Sequence, residues 1–277
     1  MAQLQYKDLL DAGVHFGHLT RKWDPRIAPY IFMEKNGIHI IDLNKTLSLL
    51  EEASNAIKQI VRSGRKVMFV ATKKQAQEVV ADEAKRLKMP YVTERWLGGM
   101  LTNFATVRKS LKKMSSIEKM MKEDTFTNMA KRERLMVTRE KEKLQKILGG
   151  IADLTRLPAA LFIIDVKREH IAIAEAHKLG IPVFAIVDTN SNPEVVDFPI
   201  PANDDAYKSI AIITQAIGRA IEEGLQERKK DKDDQKLQEE EETKRQVDNA
   251  SRKQAPAAVA AETDETEAEA TDAEDNA

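Results

Sequence analysis

The sequence predicts an α/β fold: a doubly wound parallel sheet with an inserted α-helical coiled-coil hairpin and a disordered acidic C-terminal tail. Short, nearly all-apolar, β-branched runs recur along the chain, amphipathic segments lie between them, and one long stretch without any such run interrupts the rhythm.

The runs are 66–72 (KVMFVAT), 91–95, 159–166 (AALFIIDV) and 182–188 (PVFAIVD). A strand covered by helices on both faces is apolar on both, and so loses the alternation of a half-buried strand. Between the runs, Leu47, Leu50, Ile57 and Ile60 recur at helical spacing. Val79, Ala84 and Leu87 do the same, then Ile171 and Ala174, then Ile210, Ile213, Ile217 and Ile221. Strand then helix, repeated, implies right-handed crossovers and a parallel sheet between helical layers. The punctuation agrees: in Leu179-Gly180-Ile181-Pro182, glycine ends one helix and proline opens the next strand.

The interruption covers 105–148. Phe104, Val107, Leu111, Met114, Ile117 and Met121 repeat every three to four residues, 124–128 supplies a turn, and Met129, Met136, Leu144 and Ile147 continue the pattern to Gly149-Gly150. This predicts two antiparallel helices zipped by one apolar seam, each limb about 30 Å long for about 20 residues. The body is then 1–104 with 149–230. From 231 to 277 the apolar residues are isolated among charges and alanines, which cannot bury a core and predicts disorder.

Charge is segregated. The net of −1 hides a body (1–230) with 38 Lys and Arg against 29 Asp and Glu, and a tail (231–277) with 6 against 16. The hairpin alone carries 13 bases and six acids, so most of the body's excess sits there. A protruding basic arm suits a polyanionic partner; the competing reading is a solvated surface on an ordinary helical pair. Candidate phosphate contacts on the arm are Arg108, Lys109, Lys112, Arg132, Arg134 and Arg139.

Two further segments carry candidate chemistry. The first is 14–26 (VHFGHLTRKWDPR), where Arg21, Lys22, Trp23 and Arg26 offer bases beside an aromatic, as RNA binding favours. Alternatively, Phe16 and Trp23 anchor the loop to the core. His18, with Asp188 and Asp205 from strand ends, could hold a structural divalent metal, with His15 and Asp204 nearby in sequence. The second is 94–104 (ERWLGGMLTNF). Its paired glycines could let backbone approach phosphate beside Arg95, or could simply form the corner that launches the hairpin over a packed Trp96.

Enzyme signatures are missing. There is no G-x-x-x-x-G-K-S/T loop, no G-x-G-x-x-G, no G-x-S-x-G and no cysteine at all. Asp188, Thr189 and Asn190 at a strand end still leave an alternative, a metal- or nucleotide-binding enzyme. No apolar stretch approaches a membrane span, and the charged start lacks a signal-peptide core, so the reading is a cytoplasmic protein needing no cofactor.

Five blocks, 9–18, 23–25, 95–103, 158–165 and 199–206, resemble the bacterial small-subunit ribosomal protein S2 family in order and spacing. That resemblance implies a flavodoxin-like sheet with the hairpin inserted, a structural role in translation, and contacts with small-subunit rRNA. It also implies ribosomal protein neighbours, ribosomal protein S1 among them; no homo-oligomer is expected. The acidic tail departs from the family pattern.

Overall fold

The computed structural model describes residues 4–123, 126 and 129–234. Residues 1–226 form one compact unit and 227–277 a second, of which 227–234 are described and are helical. The helix running into the tail reaches at least 231–234, within the segment whose composition predicts disorder. Its remainder, and part of the hairpin turn at 124–128, lie outside the described residues.

In chain order the elements are α1 (Tyr6–Asp11), β1 (Phe16–Leu19), β2 (Ile31–Lys35), β3 (Ile38–Ile41), α2 (Leu43–Arg62), β4 (Val67–Val70), α3 (Lys74–Leu87) and β5 (Tyr91–Val92). There follow α4 (Phe104–Met120), α5 (Lys131–Leu148), β6 (Ala160–Ile164), α6 (His170–Leu179), β7 (Val183–Val187) and β8 (Phe198–Pro201). A last helix, α7, covers 207–226 of this unit. The main sheet is parallel throughout, in the order β5-β4-β6-β7-β8. Strand order reverses between β4 and β6, as a doubly wound sheet requires.

Every residue of β4, β6 and β7 is buried, which is why these strands read as continuous apolar runs. One face carries Phe69, Phe162 and Phe184 against α2, α3 and the isoleucines of α7. The other carries Met68, Leu161, Ile163 and Ala185 against α6 and the root of the hairpin. Val107, Leu111 and Met114 of α4 belong to this second cluster, so the root of the arm is part of the sheet's own core.

Two features differ from the sequence expectation. Residues 93–95 are not strand; β5 stops at Val92, because the chain turns there toward the hairpin. A three-stranded antiparallel sheet, β1-β3-β2, precedes the parallel one. β1 and β2 are largely exposed and β3 is half-buried, so none of the three reads as a run buried on both faces. The β2–β3 link is Asn36-Gly37, both with positive φ (54° and 71°), a pair that favours the two-residue turns of twisted hairpins.

Candidate nucleic-acid interface

Polar groups gather first at the C-terminal ends of the parallel strands. Lys73 follows β4, Asp165 follows β6, Asp188 and Thr189 follow β7, and Asp204 and Asp205 follow β8. Lys73 is buried, only 8 % of the residue being exposed, and its ammonium has several carboxylates around it. It lies 2.8 Å from Asp204, 2.6 Å from Asp205 and 3.8 Å from Asp165. Burial alone would lower its pKa, but the Asp204 and Asp205 carboxylates outweigh that and hold it above the ordinary lysine value. Asp204 itself is pushed up to about 7, by burial and by the charges of Asp188 and Asp165, against the pull of Lys73. His18 closes the group, with Nδ1 3.1 Å from Asp188 and Nε2 3.3 Å from Asp205. Its pKa is raised, chiefly by the hydrogen bond to Asp188.

The neighbouring crevice, where strand order reverses and enzymes of this architecture hold ligands, is occupied by the chain itself. The Thr72 amide and hydroxyl both donate to the buried Glu169 carboxylate, and Arg168 Nε donates to the Thr72 hydroxyl at 2.7 Å. Strand-end polar residues that look catalytic in the sequence are therefore largely engaged by one another.

Among His18, Asp188 and Asp205, the proposed metal set needs one change. The compact trio is His18, Asp188 and Asp204, whose ligand atoms lie within 4.8 Å of one another. Asp205 is 54 % exposed, at the rim, and is held by Lys73. Lys73, three residues past the buried strand β4, was not singled out from the sequence; burial of its charge is tolerated only because carboxylates pair with it.

The 14–26 loop is pinned over this cluster. The His18 amide donates to the Thr189 hydroxyl at 2.7 Å, and the Asp24 amide to the Thr189 carbonyl at 2.9 Å. Gly17 passes so close that a Cβ there would sit 2.5 Å from Thr189 Cγ2 and 2.9 Å from the His39 carbonyl oxygen. Gly17→Ala is thus expected to destabilise the body by about 1–3 kcal/mol, the range for overpacking, read as a lower midpoint in urea. Arg21, Lys22 and Arg26 remain exposed on this loop, with Arg26 3.7 Å from Glu194. Trp23 is 37 % exposed, its ring 5.0 Å from that of His39. Phe16 is exposed too, so neither aromatic is a core anchor.

The 94–104 corner turns on Glu175, a buried carboxylate of α6. It accepts from Trp96 Nε1 (3.1 Å) and the amides of Gly99 (2.7 Å), Leu101 (2.9 Å) and Thr102 (3.1 Å), and from the Thr102 hydroxyl (3.2 Å). The amides that the paired glycines could have offered to phosphate include that of Gly99, which is engaged here. The corner is a launching platform, with Trp96 packed beneath and Arg95 exposed beside it. Glu175 also escaped the sequence reading; its signal is a lone acid inside the apolar run His170–Leu179.

The arm leaves from that corner. Val107, Leu111, Met114 and Ile117 are buried on α4, whereas Leu148 is the buried residue of α5. Met136, expected in the seam, is 64 % exposed. Lys113 pairs with Glu140 and Lys141 with Glu118 across the limbs. Among the described residues, Arg108, Lys109, Lys112, Arg132, Arg134 and Arg139 make no ion pair; all are exposed except Arg134, which is half-buried.

Against this geometry, the family model described as "Ribosomal protein S2" matches residues 9–224. The chain belongs to the ribosomal protein S2 family. It is 77 % identical over 248 residues to the "Small ribosomal subunit protein uS2" of Cytophaga hutchinsonii, covering 90 % of this chain and 98 % of that one. Relatives of the same name from Parabacteroides distasonis and Flavobacterium johnsoniae are 60 % and 62 % identical, covering 87 % and 83 % of this chain and 86 % and 91 % of theirs. A ribosomal protein S2 is a structural protein of the cytoplasmic ribosome working in translation, needs no cofactor and is not an enzyme, which removes the metal- or nucleotide-dependent enzyme reading. Among the described residues no helix is long and apolar enough to cross a membrane.

Proposed function

We propose that this S2 chain is a structural constituent of the small ribosomal subunit that binds small-subunit rRNA, chiefly through the arm at 105–148. The observation that carries this reading is the row of cations on α4 and α5 that make no ion pair among the described residues, on limbs where only Lys113, Lys141 and Lys146 are paired with glutamates. Unpaired guanidinium and ammonium groups on a protruding element are suited to phosphates, whose neutralisation releases counterions. The exposed Arg21, Lys22, Trp23, Arg26 and Arg95 extend the contact from the body at 1–104 and 149–230. Neighbouring ribosomal proteins, S1 among them, are further partners, and the hairpin is a coiled coil. Homo-oligomerisation plays no part. Titrating the protein into a small-subunit rRNA transcript should give an affinity that falls steeply with salt, each phosphate adding about 0.7–0.9 to the log–log slope. A flat response removes the electrostatic reading.

A second reading concerns the strand-end cluster. Asp204 Oδ2 is buried without a hydrogen-bond partner, beside Asp188 and His18, which favours a structural divalent cation there. Lys73 already neutralises part of that charge. Elemental analysis of purified protein is expected to give one equivalent of metal, and its removal by chelator a lower thermal midpoint; metal-free native protein ends this reading.

A further inference from the structure

At the other end of the sheet from the His18–Lys73 cluster, an open cleft of about 480 Å³ lies where β4 and β5 begin. Three lysines line it from separate places in the chain. Lys66 precedes β4, Lys85 ends α3, and Lys88 follows that helix in a left-handed conformation (φ 55°). The last two suit the negative end of the α3 dipole, which accounts for their sign without any ligand. Lys66 has no such role. Among the described residues neither Lys66 nor Lys88 makes an ion pair, and Lys85 reaches Asp82 at 3.8 Å between two exposed side chains, a contact of little strength. Asp153 is the single carboxylate among the lining residues.

The shape of the cleft is held by backbone. Gly150 lies so close to the chain at Tyr91 that a Cβ would fall 2.2 Å from the Tyr91 carbonyl oxygen, so only glycine fits in this wall. Gly149 and Gly150 directly follow Leu148, the last residue of the returning limb of the arm. The cleft thus continues, in chain and in charge, from the root of the basic arm. Its volume suits one nucleotide unit.

We propose that this cleft is a second RNA contact, taking a phosphodiester of the RNA backbone between Lys66, Lys85 and Lys88. The inference rests on the reading of the chain as an rRNA-binding protein, but uses none of the arm's side chains. A phosphodiester fits because compact ammonium charges on flexible stems neutralise phosphate without needing a directional cradle, and they give register rather than sequence preference.

The test uses the full chain with Lys66, Lys85 and Lys88 all changed to glutamine, beside the same three changed to arginine. Binding to a small-subunit rRNA transcript is measured across salt. The glutamine variant should bind about tenfold more weakly at moderate salt, with a log–log slope smaller by about 2, and the arginine variant should bind as wild type. Circular dichroism checks that both are folded; should the glutamine variant not fold, single changes at Lys66 and Lys88 should each lower the slope by about 0.7–0.9. Unchanged affinity and slope, with binding still lost when the arm is neutralised, would overturn the cleft and leave the rRNA reading standing. If neither cleft nor arm changes matter, both fall. Equal weakness of the arginine variant, or lost subunit incorporation at unchanged RNA affinity, also overturns the proposal, the latter pointing to a protein neighbour.

Discussion

Replacing Arg108, Lys109, Lys112, Arg132, Arg134 and Arg139 together by glutamine is expected to weaken binding to small-subunit rRNA at least about a hundredfold at moderate salt. Helix content should not change. Six phosphate contacts give a log–log slope of about 4–5, so their loss dominates the salt dependence. The arm should survive because glutamine is nearly as good a helix former as arginine or lysine, and because the cross-limb pairs Lys113–Glu140 and Lys141–Glu118 are untouched. A control separates charge from shape. Ile117 is buried on α4 but lies outside the cluster shared with the sheet, so Ile117→Ser should loosen the limbs at a cost of about 2–5 kcal/mol without melting the body. Leu111→Ser is not an equivalent control, since Leu111 is part of the sheet's core and its loss would be felt there as well. If the six-glutamine variant enters small subunits as efficiently as wild type, the arm's cations are merely solvated and the loops around Lys22, Arg26 and Arg95 must bind instead.

The parallel sheet was legible because burial on both faces writes itself into composition: β4, β6 and β7 have no exposed position to spoil an apolar run. The antiparallel sheet left no such mark. β2 is exposed along Phe32–Lys35, and only Asn36-Gly37 announces a hairpin there. The arm was legible from the three-to-four-residue spacing of Val107, Leu111 and Met114, but Met136 was misplaced because α5 carries few apolar residues and its period can be drawn more than one way. Site chemistry followed the same divide. Exposed bases can be read off the sequence one at a time. Lys73 and Glu175 leave at most a faint local mark, since each matters through partners tens to over a hundred positions away, and the role of a buried charge is plain only once those partners are known.

Glu175 is where the largest stability effect is expected. Burial by itself would raise its pKa, but four N–H donors, three backbone amides and the Trp96 indole, outweigh that and hold the carboxylate below its usual range. Glu175→Gln preserves volume and removes the charge. It also turns one acceptor into an NH2 group facing donors, so at least one or two of these buried N–H groups lose their partner. Hydrogen bonds to a charged group contribute about 1.5–3 kcal/mol each and unsatisfied buried donors cost about 1–3, so a total near 3–5 kcal/mol follows after partial rearrangement. For a body of this size that lowers Tm by about 6–20 °C. The sign with pH follows from the depressed pKa. The contribution is complete above the unfolded glutamate value of 4.5 and is lost as pH falls through the lower folded value. Urea unfolding at neutral pH should therefore separate wild type from Glu175→Gln widely, and the two curves should converge under acid. Because the donors span 96–102, the variant should also be cut by protease at the arm's root before the sheet unfolds. A gap that stays constant from neutral to acid pH would mean that the charge of Glu175 is irrelevant and that only its packing holds the corner.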